Sequence, residues 1–441
     1  MSARLGPVRL EEGVTRGNAW TLYYGAFATI GLVTGMAVLT PYLLTETLGL
    51  DEARQGRALG QLAIVNEVTL ILAYGPLGAL SDRFGRRIIY AAGFVAMGCA
   101  YLLFPWMKGL DGFSAVRVLY ALGTGAATGM YGTLLADYAV ERDRGKLGAI
   151  GGMLNGLGVV LLALALGALP SRLVEGGMAG PAAAQLTTQI AAGACLLTAV
   201  LLMAGLKRGR PAAAARLPMS AMLARGAAAA RESREIGIAY AAAFVARGDL
   251  AIVGIFTVAW GKQAALAAGM SASEAIRAGS MPFVIAQAAA LCWPLAIIAF
   301  IDRLPRLRML GLAMMIGAAG YLAMWLVDDP LGTAAIPLFA LLGIGQISAV
   351  LGAQTLIGKA APEAARGAVI GMFNFCGAVG ILVIGAVGGW AFDHFGPASP
   401  FIIVGVLNGL VGLGALAAGT PAGGTPYPVA PGQGWRALPP D

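Results

Sequence analysis

Charge is what this sequence has least of. Asp, Glu, Lys and Arg together make up 12% of its 441 residues, about half the share of an ordinary soluble domain. There is one histidine, His394, which excludes haem or metal chemistry built on several imidazoles. The four cysteines, Cys99, Cys195, Cys292 and Cys376, all fall inside apolar runs with no CxxC spacing, so neither a disulfide framework nor a zinc site is expected. They read as inert core residues. No nucleotide-binding P-loop occurs, which argues against a self-contained ATP-driven pump. The carboxylates are scattered, so a membrane-embedded enzyme would lack its catalytic cluster. Neither an enzymatic activity nor a cofactor nor a resident metal is expected.

What is present is apolar sequence. Hydrophobic residues reach 58% and mean hydropathy is +0.77, the composition of a polytopic membrane protein. Apolar runs long enough to span a bilayer fall at about 20–44, 57–80, 88–107, 114–137, 147–169 and 183–206, then at about 236–260, 278–300, 309–327, 331–357, 367–391 and 399–418. Twelve helices are therefore predicted, in an all-α fold. Residues 1–19 read as an N-terminal tail and 20–206 as a first six-helix bundle. An Ala- and Arg-rich linker at 207–235 is plausible as an amphipathic helix on the membrane surface. The second bundle is 236–418, and the Pro/Gly-rich stretch 419–441 has no reason to fold. Trp20, Trp106, Trp260 and Trp325 lie near span ends, where interface anchoring is the default.

Basic residues fix the expected orientation. Only Arg54, Arg57, Lys108, Arg172, Lys262 and Arg277 fall in loops on one side, and Arg117 and Arg247 lie within spans; the other basic residues share the side of the tails and linker. By the positive-inside rule that side is the cytoplasm, with both termini there, in a multi-pass cell (inner or plasma) membrane protein. The +8 net charge follows the loops instead of forming one patch, so no nucleic-acid partner is expected.

Four charges are buried in the predicted spans: Glu67, Arg117, Arg247 and Asp249. Each is costly in a bilayer unless paired or wetted, so each is a candidate for a transport pathway. Glu67 is the first choice for a proton carrier, Asp249 the second, with Arg117 a further coupling candidate. Residues two apart on a helix point about 200° apart, so Arg247 and Asp249 cannot face the same cavity. Arg117, Arg247, Asn66, Tyr24, Gln287, Gln346 and Asn374 are the candidate solute ligands. Each amide or hydroxyl competes with a role in helix–helix hydrogen bonding.

The loop after the second span reads Gly78-Ala-Leu-Ser-Asp82-Arg83-Phe-Gly85-Arg86-Arg87. Asp82-Arg83 returns as Asp302-Arg303 in the corresponding loop of the second half, and Arg144-Gly145 returns as Arg366-Gly367. Together with Arg117 and the segment from Ala136-Asp137 to Arg144-Gly145, this resembles the major facilitator superfamily of secondary transporters over residues 20 to 418. The resemblance implies two pseudo-symmetric six-helix bundles and a cytoplasmic gate made by Gly78, Asp82, Arg83, Gly85, Arg86, Arg87, Asp137 and Arg144. In that gate Asp82 would face the start of span eleven near Ala368, and Arg86 or Arg83 would pair with Asp137. Two family elements are missing: the Gly-Pro element of drug antiporters in span five and the Pro-Glu-Ser-Pro-Arg linker of sugar porters. The expected function is alternating-access transport of a small organic solute by a monomer in the lipid bilayer, with proton-coupled uptake (symport), driven by a proton gradient, preferred and an organic anion favoured. The alternative is proton-driven efflux of drugs or metabolites (antiport).

Overall fold

The structure, a computed structural model, describes residues 4–140, 143–209, 219–301, 305–362 and 365–419. Long apolar runs with few interior breakers fold as helices because no other spanning form satisfies every backbone group within its own segment. The first half contains α1 (Arg16–Glu46), α2 (Glu52–Phe84), α3 (Arg86–Leu103), α4 (Gly109–Tyr138), α5 (Arg144–Glu175) and α6 (Gly180–Gly205). A short helix, α7 (Met219–Glu232), lies in the linker. The second half contains α8 (Arg234–Ala251), α9 (Thr257–Ala267), α10 (Ala272–Ile301), α11 (Arg306–Leu322), α12 (Ile336–Ala360), α13 (Arg366–Phe395) and α14 (Ser399–Gly419).

Among the described residues, eleven helices are long and apolar enough to cross a membrane, α8 and α9 counting as one continuous span. The 30-residue α4 is the fourth helix of the first half. Within the first half α1 packs on α5 and α3 on α4 and α6; within the second, α11 packs on α12 and α14 and α13 on α8. The halves meet through α2 against α13 and α5 against α10. One face carries the Arg-rich loops, α7 and both ends of the described chain. It is called here the basic face, and the other the opposite face.

Several expectations change. The seventh span continues to Ala267 through a π-helical turn at Ile252–Phe256, so Lys262 belongs to a helix and not to a loop. Trp260 is buried between Phe339 and Phe401, whereas Trp20, Trp106 and Trp325 are exposed. Of the cysteines only Cys195 is a core residue; Cys99 and Cys292 are exposed and Cys376 is half-buried. The repeat pair Asp302-Arg303 lies outside the described residues.

The leading residues are docked. Arg4–Leu5 and Val8–Arg9 pair as a small antiparallel hairpin, and Leu10 bridges Ala139 between α4 and α5. Val8 and Leu10 are fully buried. The Glu11 N–H donates to the Tyr138 carbonyl (3.0 Å), and the Val140 N–H to the Arg9 carbonyl (3.2 Å). Lys207 closes the corner, its Nζ on the Glu12 carbonyl at 2.8 Å.

Candidate functional site

Helix α2 organises the site. At about 100° per residue, Gly56, Gly60, Glu67, Tyr74 and Gly78 share a stripe about 40° wide. Toward the opposite face this stripe meets α13 backbone to backbone. A Cβ at Gly60 would lie 3.4 Å from the Gly385 carbonyl oxygen, and one at Gly56 would lie 2.7 Å from the Gly389 carbonyl oxygen and overlap the Asp393 carboxylate. At Gly56 only glycine permits that approach. Farther toward the basic face the same stripe separates from α13, and Tyr74 is 40% exposed midway along the protein.

Glu67 sits at the parting. It is buried, at 7% exposure, and its Oε1 accepts from the Asn66 amide at 2.9 Å. Arg117 of α4 and Arg247 of α8 both act on its charge, one from each half. Arg247 donates to Asn374 Oδ1 of α13 at 2.8 Å, and Asn374 is solvent-exposed. Arg117 is also 7% exposed; its guanidinium lies over the Tyr120 ring, 5.1 Å from the centroid, and its Nε and one Nη lack hydrogen-bond partners. The buried carboxylate thus feels the charge of two guanidiniums, and one of them, Arg117, is a buried cation with spare donors. Spare donors on a buried cation and a carboxylate shielded from water are the groups by which intramembrane charges are ordinarily put to use.

The other candidates separate from this group. Asp249 points away from Arg247, as the helical period requires, and is fully buried within the second half against Tyr321. Gln287 and Gln346 bond each other (3.0 Å) between α10 and α12. Tyr24 shares a hydrogen bond with Thr198 of α6 (2.9 Å) within the first half.

On the basic face, Gly85 takes φ +94 between α2 and α3, a conformation that favours glycine. Arg86 forms an ion pair with Asp137 at the end of α4. Arg87 donates to the Met203 carbonyl of α6 at 2.9 Å. The Arg83 guanidinium lies over the Phe84 ring. Ser81 donates to the Gly78 carbonyl at 2.7 Å. Asp82 is half-buried at the end of α2. Arg144 opens α5, its side chain lying outside the described atoms. The start of α13 at Ala368, which the resemblance assigns to Asp82, is covered by α7.

Sequence reasoning missed the gate at the opposite face. Lys262 of α9 is fully buried and reaches across the halves to α1 and α2. Its ammonium donates to the Pro41 carbonyl at 2.9 Å, to the Thr45 hydroxyl and to Gln55 Oε1 at 3.4 Å. Beside it the Arg57 N–H donates to Asp393 Oδ2 (2.8 Å), while the Arg57 guanidinium meets His394 (3.1 Å). Arg277 and Glu175 form a third link, exposed, at 3.3 Å. The opposite face is therefore closed by polar contacts between the halves. One signal was available: Thr257 to Ala267 holds no proline and a single glycine, Gly261, before Gly269, so the helix could have been extended past Lys262.

The Major Facilitator Superfamily model matches residues 22–384. The chain belongs to the major facilitator superfamily. It is 28% identical over 425 residues to the magnetosome protein MamH of Paramagnetospirillum magneticum, covering 94% of this chain and 95% of MamH. A shorter stretch of 117 residues is 32% identical to the 4-hydroxybenzoate transporter PcaK of Pseudomonas aeruginosa, covering 26% of this chain and 25% of that one. Among solved structures, a mutant form of the nucleoside transporter NupG superposes with a TM-score of 0.72 at 13% identity, covering 91% of this chain and 100% of NupG. At that identity the likeness concerns the fold alone. Superfamily membership makes this chain a membrane transporter of small solutes and not an enzyme.

Proposed function

We propose that this superfamily member takes up a small organic anion together with a proton by alternating access, working as a monomer with the proton gradient as its energy source. The observations that carry the reading are the buried Glu67 carboxylate, the buried Arg117 with unpartnered guanidinium nitrogens, and Arg247 on the solvent-exposed Asn374, the two cations coming one from each half and both acting on the Glu67 charge. A solute carboxylate bound by the two guanidiniums would compete with Glu67 for them. Protonating Glu67 would release both cations to the solute, so proton and anion would enter and leave together. The match to a 4-hydroxybenzoate transporter supports an aromatic or other organic acid as the first class to try. Under this reading the basic face is cytoplasmic, in keeping with the positive-inside rule, and the membrane is the cell membrane. Asp249 is the reserve proton site, and the Arg86–Asp137 pair with Asp82 forms part of the cytoplasmic gate.

The test is proton movement into proteoliposomes that hold an internal pH dye. External organic acids should acidify the lumen only when the protein is present. Glu67→Gln should keep solute binding and exchange but lose accumulation driven by a proton gradient. Accumulation by Glu67→Gln at the native rate would move the proton role elsewhere. Alkalinisation of pre-acidified vesicles would replace uptake by antiport.

A further inference from the structure

Helix α13 presents one face to two different neighbours. At about 100° per residue, Ala368, Gly371, Met372, Gly385, Ala386, Gly389 and Asp393 fall within an arc about 140° wide. The opposite arc, with Gly377, Gly380, Ile384 and Gly388, packs on α8 and the π turn through Arg247, Phe244, Gly248 and Ile252. At the opposite-face end, the first arc receives the glycine stripe of α2. At the basic-face end it receives α7.

The α7 contact is close. A Cβ at Gly371 would strike Met222, and one at Gly226 would overlap Met372 and stand 2.9 Å from the Ala368 carbonyl oxygen. Tyr240 of α8 donates to the Gly226 carbonyl at 3.1 Å, and Ala229 is buried. Arg225 and Arg231 of α7 are exposed. The seam thus consists of glycine, alanine and methionine with one hydrogen bond to its backbone. Methionine is unbranched and adaptable, so such a seam can part and re-form without leaving a shaped void.

The α2 stripe that would complement this surface is unfilled where it faces the basic side. Tyr74, on that stripe, is 40% exposed. A rocking motion that frees the α2–α13 contact at the opposite face brings the basic-face halves of the two helices together. In that movement α2 would approach the residues of α13 that α7 covers.

We propose that α7 is a removable wedge: seated on Ala368, Gly371 and Met372 of α13, it keeps the basic-face cleft open, and it must leave before α2 can close that cleft and the opposite face can open. This rests on alternating access by the superfamily fold, but its readout requires neither a known solute nor proton coupling.

The experiment is hydrogen–deuterium exchange on the full chain in nanodiscs, followed at the Arg57 amide, which donates to Asp393 across the opposite-face seam. Met222→Ala, which thins the wedge contact without a clash, should raise that exchange about threefold or more, and Gly226→Leu, which expels α7, should raise it further. Met222→Cys with Gly371→Cys, in a background lacking the four native cysteines, ties the wedge down; oxidation should slow exchange at Arg57 and reduction should restore it. Unchanged exchange in Met222→Ala and in the oxidised pair would overturn the proposal, because α7 would then ride on α13 through the whole cycle. Faster exchange confined to α7 and α13 would overturn it too.

Discussion

Lys262 keeps an ammonium group out of water by surrounding it with the Pro41 carbonyl, the Thr45 hydroxyl and the Gln55 amide oxygen. A hydrogen bond from a charged donor contributes about 1.5–3 kcal/mol, and its loss leaves acceptors that water can reach only if the seam opens. Lys262→Met, similar in length and apolar, should therefore loosen the opposite face. Exchange of the Gln55 and Arg57 amides is expected to rise about tenfold, the equivalent of about 1.4 kcal/mol. Exchange no faster than in the native chain would make Lys262 a passive filler. Hydropathy made Glu67 and Arg247 legible because each interrupts the middle of an apolar run, and Arg117 because it falls inside one. Lys262 lies near the end of one, where a cation ordinarily belongs to a loop. Its role depends on Pro41, Thr45 and Gln55, more than two hundred residues away in sequence, and no local pattern encodes that encounter.

Among elements, α2 combines a seam and a pathway on one stripe. Gly56→Val is expected to push Asp393 and the Gly389 backbone aside, since even a Cβ would overlap that carboxylate. The outcome should be a protein biased toward an open opposite face, seen as a longer distance between spin labels at Asp111 and Asp328 after replacement of the native cysteines. A native-like distance would mean that α13 shifts to accommodate the side chain. Helix number and order followed from hydropathy, because a bilayer allows few alternatives to an apolar helix. The π turn at Ile252–Phe256 had no such signal: it changes the hydrogen-bond register inside a run that is uniformly apolar. The linker helix was legible as amphipathic, but its seat on α13 was not, since small residues there look like ordinary helix formers until a partner fills the space above them.

At the scale of the molecule, polar links between the halves close the opposite face while the basic side exposes Tyr74 and Asn374. Tyr138 to Val140 and Asp143, which follow the Arg86–Asp137 pair, are held by the leading hairpin and the residues after it. There the Lys146 ammonium and the Arg9 N–H keep the Asp143 carboxyl below the usual carboxylate range. A carboxyl depressed on folding stabilises the native state above its unfolded value of about 3.9, and that contribution disappears as pH falls through the lower folded value. Acidification below about pH 4 should accordingly release the hairpin, seen as faster exchange of the Arg9 amide. Asp143→Asn should exchange fast already at neutral pH and show a flatter acid dependence. An acid profile identical to the native one would assign the docking to Val8 and Leu10 alone.

The hairpin also bears on synthesis. The hairpin and the residues after it up to Glu12 dock on Tyr138, Asp143, Lys146 and Lys207, so this segment is made before anything it docks on. At about 5–20 residues per second, translation from the hairpin to Lys207 takes roughly 10–40 s. During that interval the hairpin strands stay accessible to chaperones and proteases. The last of these contacts, from Lys207 to Glu12, can form only once the first six helices have been made.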